Sequence, residues 1–347
     1  MTLDERAAAG GAVACRAESP TGCQTHPRRY RGGVRAEQGF PVCDISGHLA
    51  EPDTVVWLDL LQPSLADMDV VREEFGLHPL AIEDALTEHQ RPKLDRYPDH
   101  AFLAAYAVSC AEGDEELVRT SEIAAFLTPR ALITVRKDET LDLQPLVDRW
   151  DSTSSLAASG VAYLAHGLLD LLVDGHTEAV ALLDDEAEEL EDLLFDDRPQ
   201  GSDLQRRSFE LRKALTTVRR AVLPMRDVVG TMLRREAGLV DDRMVPYLQD
   251  VDDHVQRAVS DIDGLRDLLG TILDTNLTLA SNQLNETVFR LTAWAAILAV
   301  TTAVTGYFGQ NIPFPGAEER SGFLASAFLL VGSVSGMYVF FKRKGWL

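Results

Sequence analysis

The chain has 347 residues, with 55 Asp and Glu against 33 Lys and Arg, for a formal net charge of −22 at pH 7. Such an acid excess disfavours nucleic acid as a partner and favours cations. The length suffices for one substantial water-facing domain beside a small membrane anchor, and no Walker-type Gly-rich loop or nucleophile, base and orienter set points to an enzyme.

Residues 1 to about 38, rich in Ala, Gly and Arg, carry no sustained periodicity and are expected to form a flexible tail. Nothing near Met1 offers the apolar core and small-residue cleavage site of a signal peptide. Cys15, Cys23, Cys43 and Cys110 form no CxxC pair, and the group Cys15, Cys23 and His26 lacks zinc-site spacing. From about 39 to 150, short β-branched runs such as TVVWLDL and ALITVR alternate with helical segments such as PSLADMDVVREEFG. That alternation predicts a mixed α/β domain.

From about 160 to 240 the chain reads as helical and highly charged. The run LLDDEAEELEDLLFDD (182–197) sets Leu182, Leu183, Leu190, Leu193 and Leu194 among acids. It reads as a solvated amphipathic helix; in an oligomer, many such faces would make an anionic surface that concentrates cations near a pore.

Pro246 suits the first turn of a helix, where its missing N–H is not needed. From there to Gly309 no second proline interrupts the pattern, so one helix of about 64 residues would be roughly 95 Å long. Gly264 and Gly270 weaken it locally. Stepping by three or four residues from Asp274 gives Thr278, Ser281, Asn285, Val288, then Leu291 or Thr292, Ala295, Ala299, Thr302 and Gly306. Nearly all are small or polar, even inside an apolar run. Two readings fit: a water-filled path, towards which the Asp and Asn at the stripe's start incline, and close packing of small residues between helices.

Two uncharged runs, LTAWAAILAVTTAVTGYFG (291–309) and GFLASAFLLVGSVSGMYVFF (322–341), have the length a helix needs to cross roughly 30 Å of hydrocarbon. Arg290 precedes the first, and Lys342, Arg343 and Lys344 follow the second, whereas the connecting loop holds Glu318, Glu319 and Arg320. Basic flanks favour the cytoplasmic side. The loop is therefore expected outside, with both termini and the large N-terminal part in the cytoplasm.

The stretch YLQDVDDHVQRAVSDIDGLRDLLGTILDTNLTLASNQLNETVFRLT (247–292), the segment GLHPLAIEDALTEHQRPKLDRYPDHAFL (76–103) and the terminal KRKGWL together resemble the CorA type of two-span divalent-cation transporters. The first resembles that family's long pore helix and the second its cytoplasmic signature. The family's Gly-Met-Asn tripeptide stands here as Gly309, Gln310 and Asn311.

The resemblance implies an α+β fold: a cytoplasmic α/β domain, a long helical stalk and two C-terminal transmembrane helices, in a funnel-shaped homopentamer of the inner membrane. The expected boundaries are a tail (1–38), a regulatory α/β and helical domain (39–245), a stalk helix continuing into the first span (246–309), an external loop (310–321), the second span (322–341) and a basic tail (342–347). Gly309, Gln310 and Asn311 would form the pore mouth, Thr302 and Asn285 would line the pore, and Leu291 would be a hydrophobic gate. Asp84 matches a position that binds a regulatory divalent ion with Asp274 of a neighbouring subunit, and Glu83 and Asp250 match a second nearby site. Divalent cations, as cargo and regulator, and the lipid bilayer are the implied partners, without another cofactor.

Three departures bear on selectivity: Gln310 replaces the usual Met of the tripeptide, Ala299 a Met that commonly narrows the pore, and Val300 a Pro often found mid-span. Mg²⁺ is the expected ion, with Co²⁺ and Ni²⁺ beside it. A zinc transporter of the same superfamily and a non-conducting, membrane-anchored metal sensor or scaffold are the alternatives.

Overall fold

A computed structural model of the chain describes residues 23–110, 116–152, 154–194, 201–234, 240–310 and 319–347. The strands are β1 (Gln24–Arg31), β2 (Val34–Gln38), β3 (Thr54–Leu61), β4 (Lys93–Arg96), β5 (Ala101–Cys110), β6 (Val118–Leu127) and β7 (Ala131–Arg136). The helices are α1 (Ile45–Leu49), α2 (Leu65–Phe75), α3 (Pro79–Leu86), α4 (Gln144–Ser152), α5 (Ser154–Ala157), α6 (Val161–Leu194), α7 (Gly201–Val222), α8 (Met225–Leu233), α9 (Val245–Phe308) and α10 (Arg320–Arg343). The chain divides into two units, at Met1–Leu269 and Gly270–Leu347.

In the first unit seven strands form one sheet in the order β2-β1-β3-β7-β6-β5-β4. Only β3 and β7 pair in parallel; every other neighbour is antiparallel. The run TVVWLDLL of β3 is almost continuously apolar because both faces of this central strand are covered. Val56, Leu58 and Leu60 point into a core shared with Met68 and Val71 of α2 and Ala81 and Ile82 of α3. Trp57 faces the opposite core, built with Trp150 of α4, Leu168 and Leu172 of α6, Met225 of α8 and the start of α9. The two tryptophans meet edge to face, with ring centroids 4.7 Å apart.

The expected flexible tail overlaps the sheet. Residues 24–38 are strands β1 and β2, with β1 paired to β3 along its whole length from Gln24 with Leu61 to Arg31 with Thr54. Their charged sequence hides this, because β2 is exposed at all five residues and has no core face to imprint an alternation.

The acidic run of α6 buries Leu183, Ala187 and Leu190 while Asp184, Asp185, Glu188 and Glu189 stay exposed. Arg207 of α7 lies 2.9 Å from Glu186 and 2.6 Å from Glu189. This is an amphipathic helix with part of its charge met inside the chain; residues 195–197 of the run lie outside the described residues.

The helix beginning near Pro246 is continuous for 64 residues, and Gly264 and Gly270 do not interrupt it. Its C-terminal part and α10 make up most of the second unit. There Ala293, Ile297 and Phe341 form a small core, with Ala296, Val334 and Met337 packed against it. Both helices are long and apolar enough to cross a membrane, and only 11% and 0% of their most apolar windows are buried within the chain. Phe323, Phe328 and Leu298 are 72%, 82% and 64% exposed, which suits a lipid or protein environment and not water.

Candidate metal sites and pore-lining face

Helix α3 places the first acidic pair. Pro79 occupies the first turn, and the Leu80 N–H donates to Nδ1 of the capping His78 at 3.2 Å. Ala81, Ile82 and Ala85 are buried against the sheet, which leaves Glu83 exposed and Asp84 half-buried. Tyr97 stacks between His78 and His100, with centroids 4.7 and 4.9 Å away, and so ties the helix start to the β4–β5 turn.

Asp84 is not a free carboxylate. Lys93 Nζ on β4 lies 2.7 Å from its Oδ2 and 2.6 Å from Oδ2 of Asp95. Partial burial works against the ammonium, but hydrogen bonds to Asp84 and Asp95 outweigh it and raise the lysine above its ordinary pKa. Sequence reading gave Lys93 no role. It stands nine residues beyond Asp84, outside any helical spacing, and only the turn from α3 into β4 brings the two together.

Asp250 lies exposed near the start of α9 and adds to a second acidic neighbourhood with Asp170 and Asp174 of α6. Burial, then Asp170, pushes the Asp174 carboxyl up; Arg149 and His254 oppose this, and Asp250 contributes a smaller push. Asp274 is exposed on α9 in the second unit. Among the described residues of one chain, no three His, Cys, Asp or Glu side chains gather to hold a metal.

The stripe on α9 has a defined place in the second unit. At about 100° per residue, Asn285, Val288, Ala295, Ala299, Thr302 and Gly306 centre about 140° away from Ala293 around the helix. Ala293 and Ile297 face α10. Every stripe residue is exposed in the single chain, Leu291 at 69%. The small residues therefore do not serve packing against α10.

Thr302 Oγ1 donates to the Leu298 carbonyl at 2.9 Å, and Thr278 to Asp274 at 2.9 Å. Each hydroxyl thus spends its proton on the helix and turns lone pairs outward. Oxygen acceptors facing outward are what a hard cation and its waters need.

At the end of α9, Gly309 N–H donates to Thr305 O at 2.9 Å and Gln310 is exposed. A Cβ at Gly309 would stand 3.0 Å from the Thr305 carbonyl, which favours glycine there. Asn311 lies outside the described residues.

The C-terminus closes α10 with a double hydrogen-bonded cap. Gly345, at φ 72°, donates to Lys342 O at 3.2 Å, and Trp346 N–H donates to Phe341 O at 3.0 Å. The Trp346 ring then stacks on Phe341 of α10 and on Phe289 of α9, at 5.4 and 4.9 Å. Nothing in the spacing of KRKGWL marks this role.

A family profile described as CorA-like Mg²⁺ transporter protein matches residues 52–343. The chain belongs to the CorA-like Mg²⁺ transporter family. CorA-like proteins are membrane transporters of metal ions and not enzymes, and two apolar helices close this CorA-like chain. The cobalt/magnesium transport protein CorA of Thermotoga maritima is 27% identical over 342 residues, covering 94% of this chain and 97% of that protein. The zinc transport protein ZntB of Yersinia pestis is 25% identical over 278 residues, covering 78% and 82%. The complete structure of the CorA magnesium transporter from Methanocaldococcus jannaschii superposes with a TM-score of 0.74 at 20% identity, over 93% of this chain and 98% of that one. The fold is thus that of the full-length CorA architecture: an N-terminal α/β domain, a long helix and two C-terminal apolar helices.

Proposed function

We propose that this chain assembles as a homopentamer around a central pore and moves divalent cations, Mg²⁺ foremost, through the inner membrane. The observation that carries this reading is the α9 stripe: polar and small residues, all exposed, on the face turned away from α10. Intramembrane polar groups face a bundle interior or water, and a ring of α9 helices supplies both. The loop after Gly309 then faces outward, and both termini lie in the cytoplasm, as the basic flanks favour.

In that pore Leu291, large and exposed, forms the apolar constriction, while Asn285 and Thr302 offer oxygens. Gly309, Gln310 and Asn311 form the mouth. Mg²⁺ sheds water reluctantly, so a ring of carboxamide oxygens, one set from each subunit, holds the ion through its hydration shell. The membrane potential, worth about 2.3 kcal/mol per charge per 100 mV, drives a cation inward.

Regulation rests on Asp84 and Asp274 of a neighbouring subunit, with Glu83 and Asp250 as the second site. Metal there offsets repulsion between carboxylates and holds the pore shut. When internal metal falls, the repulsion loosens the closed ring.

Zinc is the second reading, favoured by the ZntB relative and by Gln310, Ala299 and Val300, which leave the mouth more polar and the gate less bulky. Flux measured in liposomes for Mg²⁺, Co²⁺, Ni²⁺ and Zn²⁺, with and without an imposed potential and pH gradient, decides between the ions. No flux of any of them would leave a non-conducting sensor. Asn311→Ala removes one acceptor from every subunit at about 1 kcal/mol per contact, so flux should fall more than tenfold while assembly persists. Gln310→Met should shift preference towards Mg²⁺ more than it changes total flux.

A further inference from the structure

Carboxylates dominate this chain, yet one cleft of the first unit, with a volume of about 610 Å³, is lined by no Asp or Glu at all. It opens between the β4 approach, the β5–β6 pair, the end of α7 and the part of α9 that belongs to the same unit. Arg91, Arg219, Arg220 and Arg266 line it. The volume falls in the range of small-molecule sites.

The charge in this cleft is poorly compensated. Asp263 lies 3.2 Å from Arg219 and 3.5 Å from Arg266, so a single carboxylate serves both. Arg91 and Arg220 make no ion pair among the described residues. Four guanidinium groups thus share one concavity whose lining holds no carboxylate, in a protein whose net charge is −22; at its rim Asp263 meets two of them, and Glu122, which accepts from the His89 N–H, is itself paired with Lys137. Neighbouring like charges cost free energy, and an anion that bridges them recovers it.

The remaining lining narrows the ligand class. Tyr106 and Thr120 present hydroxyls that make no hydrogen bond among the described residues, and either can donate to an anionic oxygen. Pro92, Leu223 and Pro224 supply an apolar wall, which a bare inorganic anion would not use. Arginine forks match phosphate oxygens in pairs.

The geometry points to a binding site for a soluble nucleoside polyphosphate in this arginine cleft, with the phosphates among Arg91, Arg220 and Arg266 and the ring system against Pro92 and Leu223. The site spans the loop after α3, α7 and α9, so its occupancy ties three elements together. It stands independently of which metal the protein moves.

The test uses the full chain in detergent, titrated calorimetrically with ATP in EDTA and, separately, with pyrophosphate, inorganic phosphate and AMP. ATP should bind saturably and raise the melting temperature, pyrophosphate should bind more weakly, and inorganic phosphate and AMP weaker still. Arg91→Ala and Arg220→Ala should each weaken ATP at least about tenfold, the loss of one charge-assisted hydrogen bond. Arg212→Ala, an exposed arginine outside the cleft, should leave it unchanged. Absence of saturable ATP binding, equal binding by the cleft variants, or displacement of ATP by phosphatidylglycerol vesicles would overturn the proposal. So would cleft variants that lose their subunit assembly, because the arginines would then belong to a contact between copies.

Discussion

Lys93 Nζ lies 2.7 Å from Oδ2 of Asp84 and holds that carboxylate in an ion pair within its own chain. A divalent ion held at Asp84, as proposed, would therefore compete with an internal cation. Both partners are about a third exposed, so solvent screens the pair and it contributes modestly to stability. Its effect on metal affinity is larger, because a divalent ion and an ammonium on one carboxylate repel each other.

Lys93→Met should accordingly lower the Mg²⁺ concentration that protects the N-terminal domain from proteolysis, by about three- to tenfold, a change of about 1 kcal/mol. Asp274→Lys should act differently, placing a fixed positive charge where the ion is proposed to sit and so shrinking the dependence of protection on metal. Limited proteolysis across a Mg²⁺ series reads both. If the Asp274→Lys protein is protected over the same metal range as the parent, Asp274 has no part in sensing.

Trp346 joins α9 and α10 by stacking on Phe289 and Phe341. Trp346→Ala removes two aromatic contacts and should cost about 2 kcal/mol in the second unit. Gly345→Ala, at φ 72°, should cost about 1 kcal/mol through left-handed strain alone. Thermal melting in detergent measures both, and a Trp346→Phe protein should recover most of the loss. An unchanged melting temperature in Trp346→Ala would show that the stack does not fasten the two helices.

His176 is fully buried on α6, with Nε2 2.7 Å from the Tyr106 carbonyl and Nδ1 without a partner among the described residues. Burial lowers it from 6.5 to about 4, only partly opposed by the Tyr106 carbonyl. The folded state thus binds the proton less well than the unfolded chain. Its contribution to stability is complete above about pH 6.5 and is lost as pH falls towards 4. Between pH 7.5 and 5 this one group should remove about 2 kcal/mol. Denaturant unfolding of the parent and of His176→Leu at both pH values checks it: the variant should show the smaller acid loss, whatever its stability at neutral pH.

The basic flanks and acidic loop predict that a single thiol introduced at Ala317 reacts with an impermeant reagent in intact cells, whereas thiols at either terminus do not. Labelling of the C-terminus from outside would invert the chain and move each proposed regulatory residue to the other side of the membrane.

What depends on periodicity along a single element is legible from the order of residues alone. The long helix from Val245 to Phe308, the two apolar runs and the stripe from Asp274 to Gly306 were legible because residues three or four apart share a helix face wherever that helix goes. Strand β3 showed itself because both of its faces are buried and six of its eight residues are apolar. Strand β2 did not, since an edge strand open to water keeps its charges and is held by backbone pairing that any side chain permits, and β1, though flanked by β2 and β3, buries only Pro27 and Tyr30 and so shows no alternation. Folding in three dimensions is what brings Lys93 to Asp84, sets Trp346 between Phe289 and Phe341, and gathers arginines from 91 to 266 on one cleft. Those contacts join residues distant in the chain, and their partners are chosen by how turns, sheet register and helix packing fold back, which no local pattern encodes.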